Sequence, residues 1–544
     1  MRYRKLIAIL CAGIMLLSCA GCSYSGKSAD PYDNIPESSG GKDIVKGKAA
    51  DHVFSLNSNS KYSFNPLVAT NHANQLICDL VYENMVEVDN DFNVIYNVIA
   101  SGSCDETAMN WTFKLDPENP HYFHDGTKVT AYDLRYSLEY AINSDRFKGR
   151  FASFQGASHD NDTGTLFVTL GVGDTQFIKL LNIPVIQQGT FGQDRPGGSG
   201  PYMYNEDFTK LQAFTGYNGY ESLPMDEIEI KEYSDMEGTI IAYEDSLIDV
   251  VVNDPTSYTN LGYASTNEIH NFPTTNLHFV AFNEDSVMGK YTAFRYAASY
   301  AFDRDYLVEL LNTNAVATPV PMYPTCADYP TDFAKTMGYD LDTAAIVLDN
   351  AGIIDYDNDG WREYMNGSAQ DFEVVFILCS DSSAKSGIAN KFAADMATLG
   401  VKVNVKELDW ETYLLALEEG EVTDKNGKKS KYDMYYCEVK LRNNFDLTEL
   451  LQVRDKDNES SNLNFTHSKD ANYVNLINQY LAAPDELRAV RYKDLCSYIH
   501  SNSLFITIGF EKQQIISHRG VIKGINANAG NPLYGIEDWI VDLS

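Results

Sequence analysis

The chain has 544 residues, too many for a single hydrophobic core and suited to about three or four domain-sized units. Hydrophobic residues make up 44% of it, which excludes a globally disordered polymer. Lysine and arginine number 42 against 76 aspartates and glutamates, and the formal net charge of −34 repels phosphate backbones and excludes nucleic acid as a partner. The 36 tyrosines supply apolar faces with polar tips, as ligand surfaces need.

Met1 to Lys5 is basic, and Leu6 to Leu17 is almost wholly apolar. That run is too short to span a bilayer stably and reads as a secretory signal. It ends in Leu16-Leu-Ser-Cys19 and Cys19-Ala-Gly-Cys22, each similar to the lipobox of bacterial lipoproteins, in which the cysteine is diacylated and becomes the first residue. Leucine three positions ahead favours Cys19, while Ala-Gly directly before Cys22 is the commoner local pattern; both stay candidates for lipidation. The alternative is a plain cleaved signal. Ser23 to Ala50 is rich in Ser, Gly, Lys and Asp and reads as a flexible tether. The remaining cysteines, Cys78, Cys104, Cys326, Cys379, Cys437 and Cys496, form no C-x-x-C pair, so no zinc site is expected. Cys379 and Cys437 end strand-like runs; a disulfide between them and buried free thiols are the two readings, and the second is favoured.

Along the chain, helical spacing covers Asn74 to Val86, and Trp111 to Leu115 alternates like a strand before a turn at Phe123 to Thr127. Thr130-Ala-Tyr-Asp133 is an N-cap signature for a helix over Ala131–Ile142. Gly197-Gly-Ser-Gly-Pro201 is a loop ahead of a strand at Tyr202–Tyr204. After about residue 275 strands and helices alternate. Strands are predicted at Leu277–Phe282, Phe372–Leu378, Lys402–Leu408 and Tyr432–Val439. Helices are predicted at Tyr291–Phe302, Thr343–Ala351, Ala384–Leu399 and Trp410–Glu418. This rhythm implies a parallel or mixed sheet covered on both faces.

Val81-Tyr-Glu-Asn-Met85, Trp111-Thr-Phe-Lys-Leu115, Phe123-His-Asp-Gly-Thr127 and Thr130-Ala-Tyr-Asp-Leu134 stand in one order. Gly198-Ser-Gly-Pro-Tyr202, Asn218-Gly-Tyr220 and Arg295 to Arg304 follow. Ala351-Gly352 with Asp357-Asn-Asp-Gly360, then Leu399-Gly-Val401 and Tyr432-Asp433, complete the series. In order and spacing the series resembles the extracellular solute-binding proteins of family 5, the oligopeptide-, dipeptide- and nickel-binding components of ABC importers. The resemblance covers nearly everything from about residue 50 to 530. It implies an α/β, two-lobed periplasmic-binding-protein fold, type II-like with mixed sheets, and an additional third domain. Carried onto this chain, lobe one is 51–86 with 197–275 and 513–544, the extra domain is 87–196, and lobe two is 276–512, with crossovers near Phe272–Asn276 and Glu511–Ile515.

No catalytic set emerges. There is no Gly-x-Ser-x-Gly elbow and no phosphate loop, and no carboxylate pair stands out. Asp355-Tyr-Asp-Asn-Asp-Gly360 opens like a calcium loop, but its twelfth position is Asn366, and an ordinary turn is the better reading. His121 and His124 have no third ligand nearby. No metal and no cofactor are expected.

Site residues follow from the resemblance alone. Peptide-binding relatives hold the ligand backbone between extended segments of two lobes, and an Asp near the end of a lobe-two strand neutralises the ligand's free amine. That position falls on Asn443, with Asp446 three residues on, roughly 10 Å along a strand and on its other face. Lys440 and Arg442 put positive charge beside the cleft and favour a carboxylate or other anion. Thr70, Asn71 and His72, and Thr274, Thr275 and Asn276 at the first crossover, complete the candidate lining; each has the alternative of an ordinary polar loop residue. The reading is a monomeric, lipid-anchored substrate-binding protein on the extracytoplasmic face of the cell membrane. It captures a peptide or similar polar solute and delivers it to ABC permease subunits. A ligand-sensing receptor lipoprotein and a secreted hydrolase are the alternatives.

Overall fold

The computed structural model describes residues 52–253, 267–311, 313–424, 426–455 and 462–543, except for the Lys148 side chain. The signal, Cys19, Cys22 and the tether lie outside the described residues. In chain order the elements that matter are β1 (Ser55–Ser58), α1 (His72–Val81), β2 (Val86–Val88), β3 (Val94–Tyr96), β4 (Ser101–Cys104), β5 (Asn110–Lys114), α2 (Ala131–Asn143), β6 (Phe154–Asp160) and β7 (Thr165–Leu170). β8 (Tyr202–Tyr204), β9 (Lys210–Ala213), β10 (Glu227–Glu232), β11 (Val250–Asn253), β12 (Asn267–Phe282), α3 (Thr292–Ala301), β13 (Ala315–Ala317) and α4 (Leu341–Asn350) follow. Last come β14 (Glu373–Cys379), α5 (Ser383–Thr398), β15 (Lys402–Leu408), α6 (Trp410–Glu419), β16 (Met434–Lys440), α7 (Asn472–Leu481), α8 (Asp485–Asn502) and β17 (Phe505–His518).

Three larger sheets organise these elements. One has the order β1-β10-β9-β8, another is the antiparallel β4-β5-β7-β6, and the third is seven-stranded, β11-β17-β12-β16-β14-β15 with β13 beside β17. The seven-stranded sheet is mixed: β14 runs parallel to both β15 and β16, while β12 is antiparallel to β16 and β17. The fold is mixed α/β, as the alternating rhythm implies.

Local chemistry sets several boundaries. The Thr130 N–H and hydroxyl both donate to the Asp133 carboxylate at the start of α2, so the predicted helix forms and runs one residue further. The helix predicted over Asn74–Val86 stops at Val81, because Tyr82 turns to an extended conformation and Val86–Val88 pairs with Val94–Tyr96. Gly198 and Gly200 press on that helix end: a Cβ on either would lie 2.3 Å and 2.5 Å from the carbonyl oxygens of Val81 and Leu80. Only glycine permits so close an approach. The strand predicted over Leu277–Phe282 is the last six residues of β12, which is 16 residues long.

Apolar side chains gather in two main cores. The first combines residues of 54–272 with 515–539, including Leu56, Phe113, Leu166, Tyr202, Ile228 and Trp539. The second is built from 277–510, including Phe279, Phe294, Phe376, Phe392 and Tyr435. Val88 and Phe92, on the β2–β3 hairpin, belong to the second core although their neighbours in sequence belong to the first. All six cysteines among the described residues are free thiols, Cys379 and Cys437 included.

Candidate functional site

Two chain crossings and one seam connect the cores. β12 and β17 pass side by side from one core to the other. Their ladder runs from Asn267↔His518 to Pro273↔Lys512, shifts, and resumes at Leu277↔Phe510. The residues in the shift are Thr274, Thr275 and Asn276. Pro273 brings no amide hydrogen to the ladder, which suits the irregular point. The Thr274 hydroxyl donates to the Glu511 carbonyl at 2.7 Å, and the Thr275 hydroxyl donates to the Leu441 carbonyl at 2.7 Å. Both threonines are buried and knit the crossing together. Asn276 stands directly opposite Lys440 in the β12–β16 ladder, so the two side chains share a face. Asn276 is only 3% exposed, and its Oδ1 has no hydrogen-bond partner.

The seam joins the 174–182 turn to the loop after β16 and to the end of α7. Asn443 Nδ2 donates to the Lys179 carbonyl at 3.3 Å, and Asn444 Nδ2 donates to Asp174 Oδ2 at 2.8 Å. Gln176 Nε2 donates to the Tyr480 hydroxyl at 2.8 Å, which itself donates to the Asn444 carbonyl at 2.8 Å. Thr175 N–H donates to the Leu481 carbonyl at 2.8 Å. Beside this seam the Phe92 ring packs 5.5 Å from Tyr323 and 5.1 Å from Phe445, plugging the second core from the β2–β3 hairpin.

Charge is unevenly settled here. Arg442 is bonded to both Asp446 and Glu449, and Asp446 also accepts from Thr448 N–H at 2.8 Å. Arg442 is therefore neutralised within its own loop, and Asp446 is committed to that loop and not to the place of the missing Asp. Lys440 is different. Its side chain has no hydrogen bond or ion pair among the described residues and is exposed, yet burial first and then Arg150 and Arg146 push its ammonium down to about 8. Arg150 is pushed down to about 9 by burial, Arg146 and Arg442; its guanidinium donates to the carbonyls of Leu180 at 3.3 Å and Asn182 at 2.7 Å. Burial raises Asp79 to about 8 against the pull of Arg146, and raises Asp174 to about 7.

Thr70, Asn71 and His72 lie at the start of α1. Asn71 caps that helix through Asn74 N–H, and Thr70 and His72 are exposed. The structure thus gathers Asn276, Lys440, Arg442, Asn443 and Asp446 near one seam and gives Thr274 and Thr275 backbone partners. Arg146 and Arg150 escaped the sequence reading; the only signal is three cations in Arg146-Phe-Lys-Gly-Arg150 within an acidic chain.

Other polar clusters have local explanations. His121 pairs with Glu83 at 2.8 Å, and His124 contacts the Gly200 carbonyl at 3.1 Å. Asp355, Asp357 and Asp359 accept from the N–H groups of Asp359, Gly360 and Trp361, as a turn requires. On the buried continuation of the Asn276–Lys440 face, His278, Glu438 and Glu511 offer ligand atoms within 4.8 Å of one another. There the Lys385 ammonium already sits 3.0 Å from Glu438 and 2.9 Å from Asp381. Among the described residues no helix is long and apolar enough to cross a membrane.

Residues 93–441 match the family of bacterial extracellular solute-binding proteins, family 5, middle region. The oligopeptide-binding protein AppA of Bacillus subtilis is 22% identical over 74% of this chain and 76% of its own length. Its structure with a nonapeptide has a TM-score of 0.59 at 18% identity, covering 90% of this chain and 98% of that one. NikZ from Campylobacter jejuni, solved with Ni(L-His), has a TM-score of 0.62 at 18% identity over 90% of this chain and 99% of NikZ. The periplasmic murein tripeptide binding protein MppA in its unliganded open form gives 0.70 at 18% identity, with coverages of 91% and 99%.

Proposed function

The chain belongs to family 5 of the bacterial extracellular solute-binding proteins, and from that premise we propose that it is the substrate-binding lipoprotein of an ABC importer. It captures a peptide or a polar solute of similar size between two lobes and presents it to a permease. Lobe one is 51–86, 197–275 and 513–544, lobe two is 276–512, and 87–196 elaborates lobe one. Diacylation of Cys19 or Cys22 anchors it on the extracytoplasmic face. Binding needs no bond-breaking chemistry: hydrogen bonds in a water-poor cleft supply affinity, and rotation about the crossings closes it. The relatives' names speak for binding and not for catalysis.

The observation that supports this reading is the pair of cores joined by two adjacent strands, β12 and β17, with Asn276 paired to Lys440 at the crossing. Mass spectrometry of solute co-purified with the protein, followed by calorimetry with that solute, is the test. The expected result is a defined small solute that rebinds, is recovered unchanged, and lowers the radius of gyration in small-angle scattering. A solute converted to product overturns the proposal, as do identical scattering curves at saturation.

A further inference from the structure

Just past the crossing, on the side of the second core, a histidine and two glutamates converge from three neighbouring strands. His278 lies opposite Glu438 in the β12–β16 ladder, so these two side chains share a face. Glu511 reaches the same place from β17. It stands between Phe510, opposite Leu277, and Lys512, opposite Pro273, where the β12–β17 ladder shifts. Such irregularities re-aim a side chain, and here the Glu511 carboxylate is turned onto the imidazole. His278 Nε2 lies 3.4 Å from Glu511 Oε1. One ligand atom from each of His278, Glu438 and Glu511 lies within 4.8 Å of the others, and His278 and Glu511 are fully buried.

The imidazole sets the requirement. Its Nδ1 is 2.9 Å from the Tyr436 hydroxyl, whereas Nε2 has no hydrogen-bond partner. Leaving a buried nitrogen in that condition is unfavourable, and 3.4 Å is too long for a strong N–H···O bond. That separation matches the edge, about 3.4 Å, of a tetrahedron with bonds of about 2.0–2.1 Å, the zinc distance to imidazole and carboxylate alike. Nδ1–H donated to Tyr436 leaves the Nε2 lone pair facing the carboxylates, the arrangement in which metal-bound histidines are held. Charge points the same way. Lys385 lies 3.0 Å from Glu438 and 2.9 Å from Asp381, so one ammonium stands among the three carboxylates of Asp381, Glu438 and Glu511. A divalent cation brings that set to neutrality, and a monovalent one does not.

We propose that His278 Nε2, Glu438 and Glu511 form a site for a divalent transition-metal ion, zinc by preference, with water in the fourth position. β12, β16 and β17 give one ligand each, so the ion pins three adjacent strands beside the crossing. It is a resident of the fold and not a transported solute, and the proposal goes beyond the solute-binding reading without resting on it. An imidazole with two carboxylates suits zinc better than calcium, which takes six to eight oxygens. The Glu511 carbonyl accepts from the Thr274 hydroxyl inside the shift, so bending at that level gives the ion its way in.

The full chain, stripped with a chelator, incubated with zinc or cobalt(II) and dialysed, tests the site through its metal content and the visible spectrum of the cobalt form. One retained equivalent is expected, with the intense visible bands of four-coordinate cobalt on nitrogen and oxygen. Calcium in excess does not displace it. In His278→Gln and Glu511→Gln, with circular dichroism unchanged, zinc affinity falls at least about a hundredfold. Asp355→Asn, in the exposed acidic turn, leaves that affinity unaltered, and Lys385→Met, which removes a competing ammonium, raises it. Failure to retain zinc overturns the proposal and means that Glu438 and Glu511 share a proton instead. Undiminished affinity in Glu511→Gln overturns it as well. A six-coordinate cobalt spectrum, or a sulfur-to-cobalt charge-transfer band that places the ion on cysteine, does the same on the unaltered chain, so the test stands even where a variant fails to fold. Displacement by calcium overturns the choice of a transition metal.

Discussion

Replacing Phe92 by alanine tests how the two cores are coupled. The ring is 2% exposed, touches Tyr323 and Phe445, and sits in a core otherwise built from residues 277–510. Removing a buried phenyl ring costs about 4 kcal/mol where the site cannot collapse, and loss of its tilted and edge-on ring contacts belongs to that figure. If the hairpin docks only when the lobes close, the whole loss falls on the closed state, and apparent ligand affinity drops about a thousandfold with little change in the unfolding midpoint. If the hairpin stays seated in the open state as well, affinity holds and the urea midpoint falls instead. Phe92 has a φ of 61°, a left-handed conformation that disfavours any side chain. Phe92→Gly therefore recovers about 1 kcal/mol relative to Phe92→Ala. Equilibrium urea unfolding and calorimetry on both variants separate the cases. A combined loss below about 1 kcal/mol for Phe92→Ala would refute the coupling.

Asp79, Glu87 and Asp174 have folded pKa values raised by burial to about 8, 7 and 7. The folded state thus binds more protons than the unfolded chain, so thermal stability is expected to fall as pH rises from about 4 to 8, read by melting scans at constant ionic strength. Lys385→Met strips the counter-ion from Glu438 and Asp381 in a buried network and is expected to cost about 3–5 kcal/mol in urea unfolding. Replacing both Cys19 and Cys22 by serine is expected to release the protein from membrane fractions, since two acyl chains hold where a single chain anchors only marginally.

Short-range chemistry was readable in the sequence, and long-range balance was not. Lys402–Leu408 alternates cleanly and is the strand β15; Thr130 and Asp133 announce α2. β12 was half hidden because Pro273 interrupts its pattern, and nothing local says that the ladder resumes on the far side of a shift. The segment Lys440–Asp446 was found through resemblance. Which of its charges is free depends on Glu449 and Arg150, brought together only by the folded chain. Arg442 looked as available as Lys440 until its two carboxylate partners were seen.

The side-by-side passage of β12 and β17 has a mechanical consequence. Two strands that share a hydrogen-bonded ladder cannot slide past each other or lengthen separately, while the register shift at Thr274–Asn276 lowers the resistance to bending at one level of both. Relative movement of the two halves then reduces to a single rotation. If that rotation is the closure proposed above, bound solutes of different size would stop it at much the same angle.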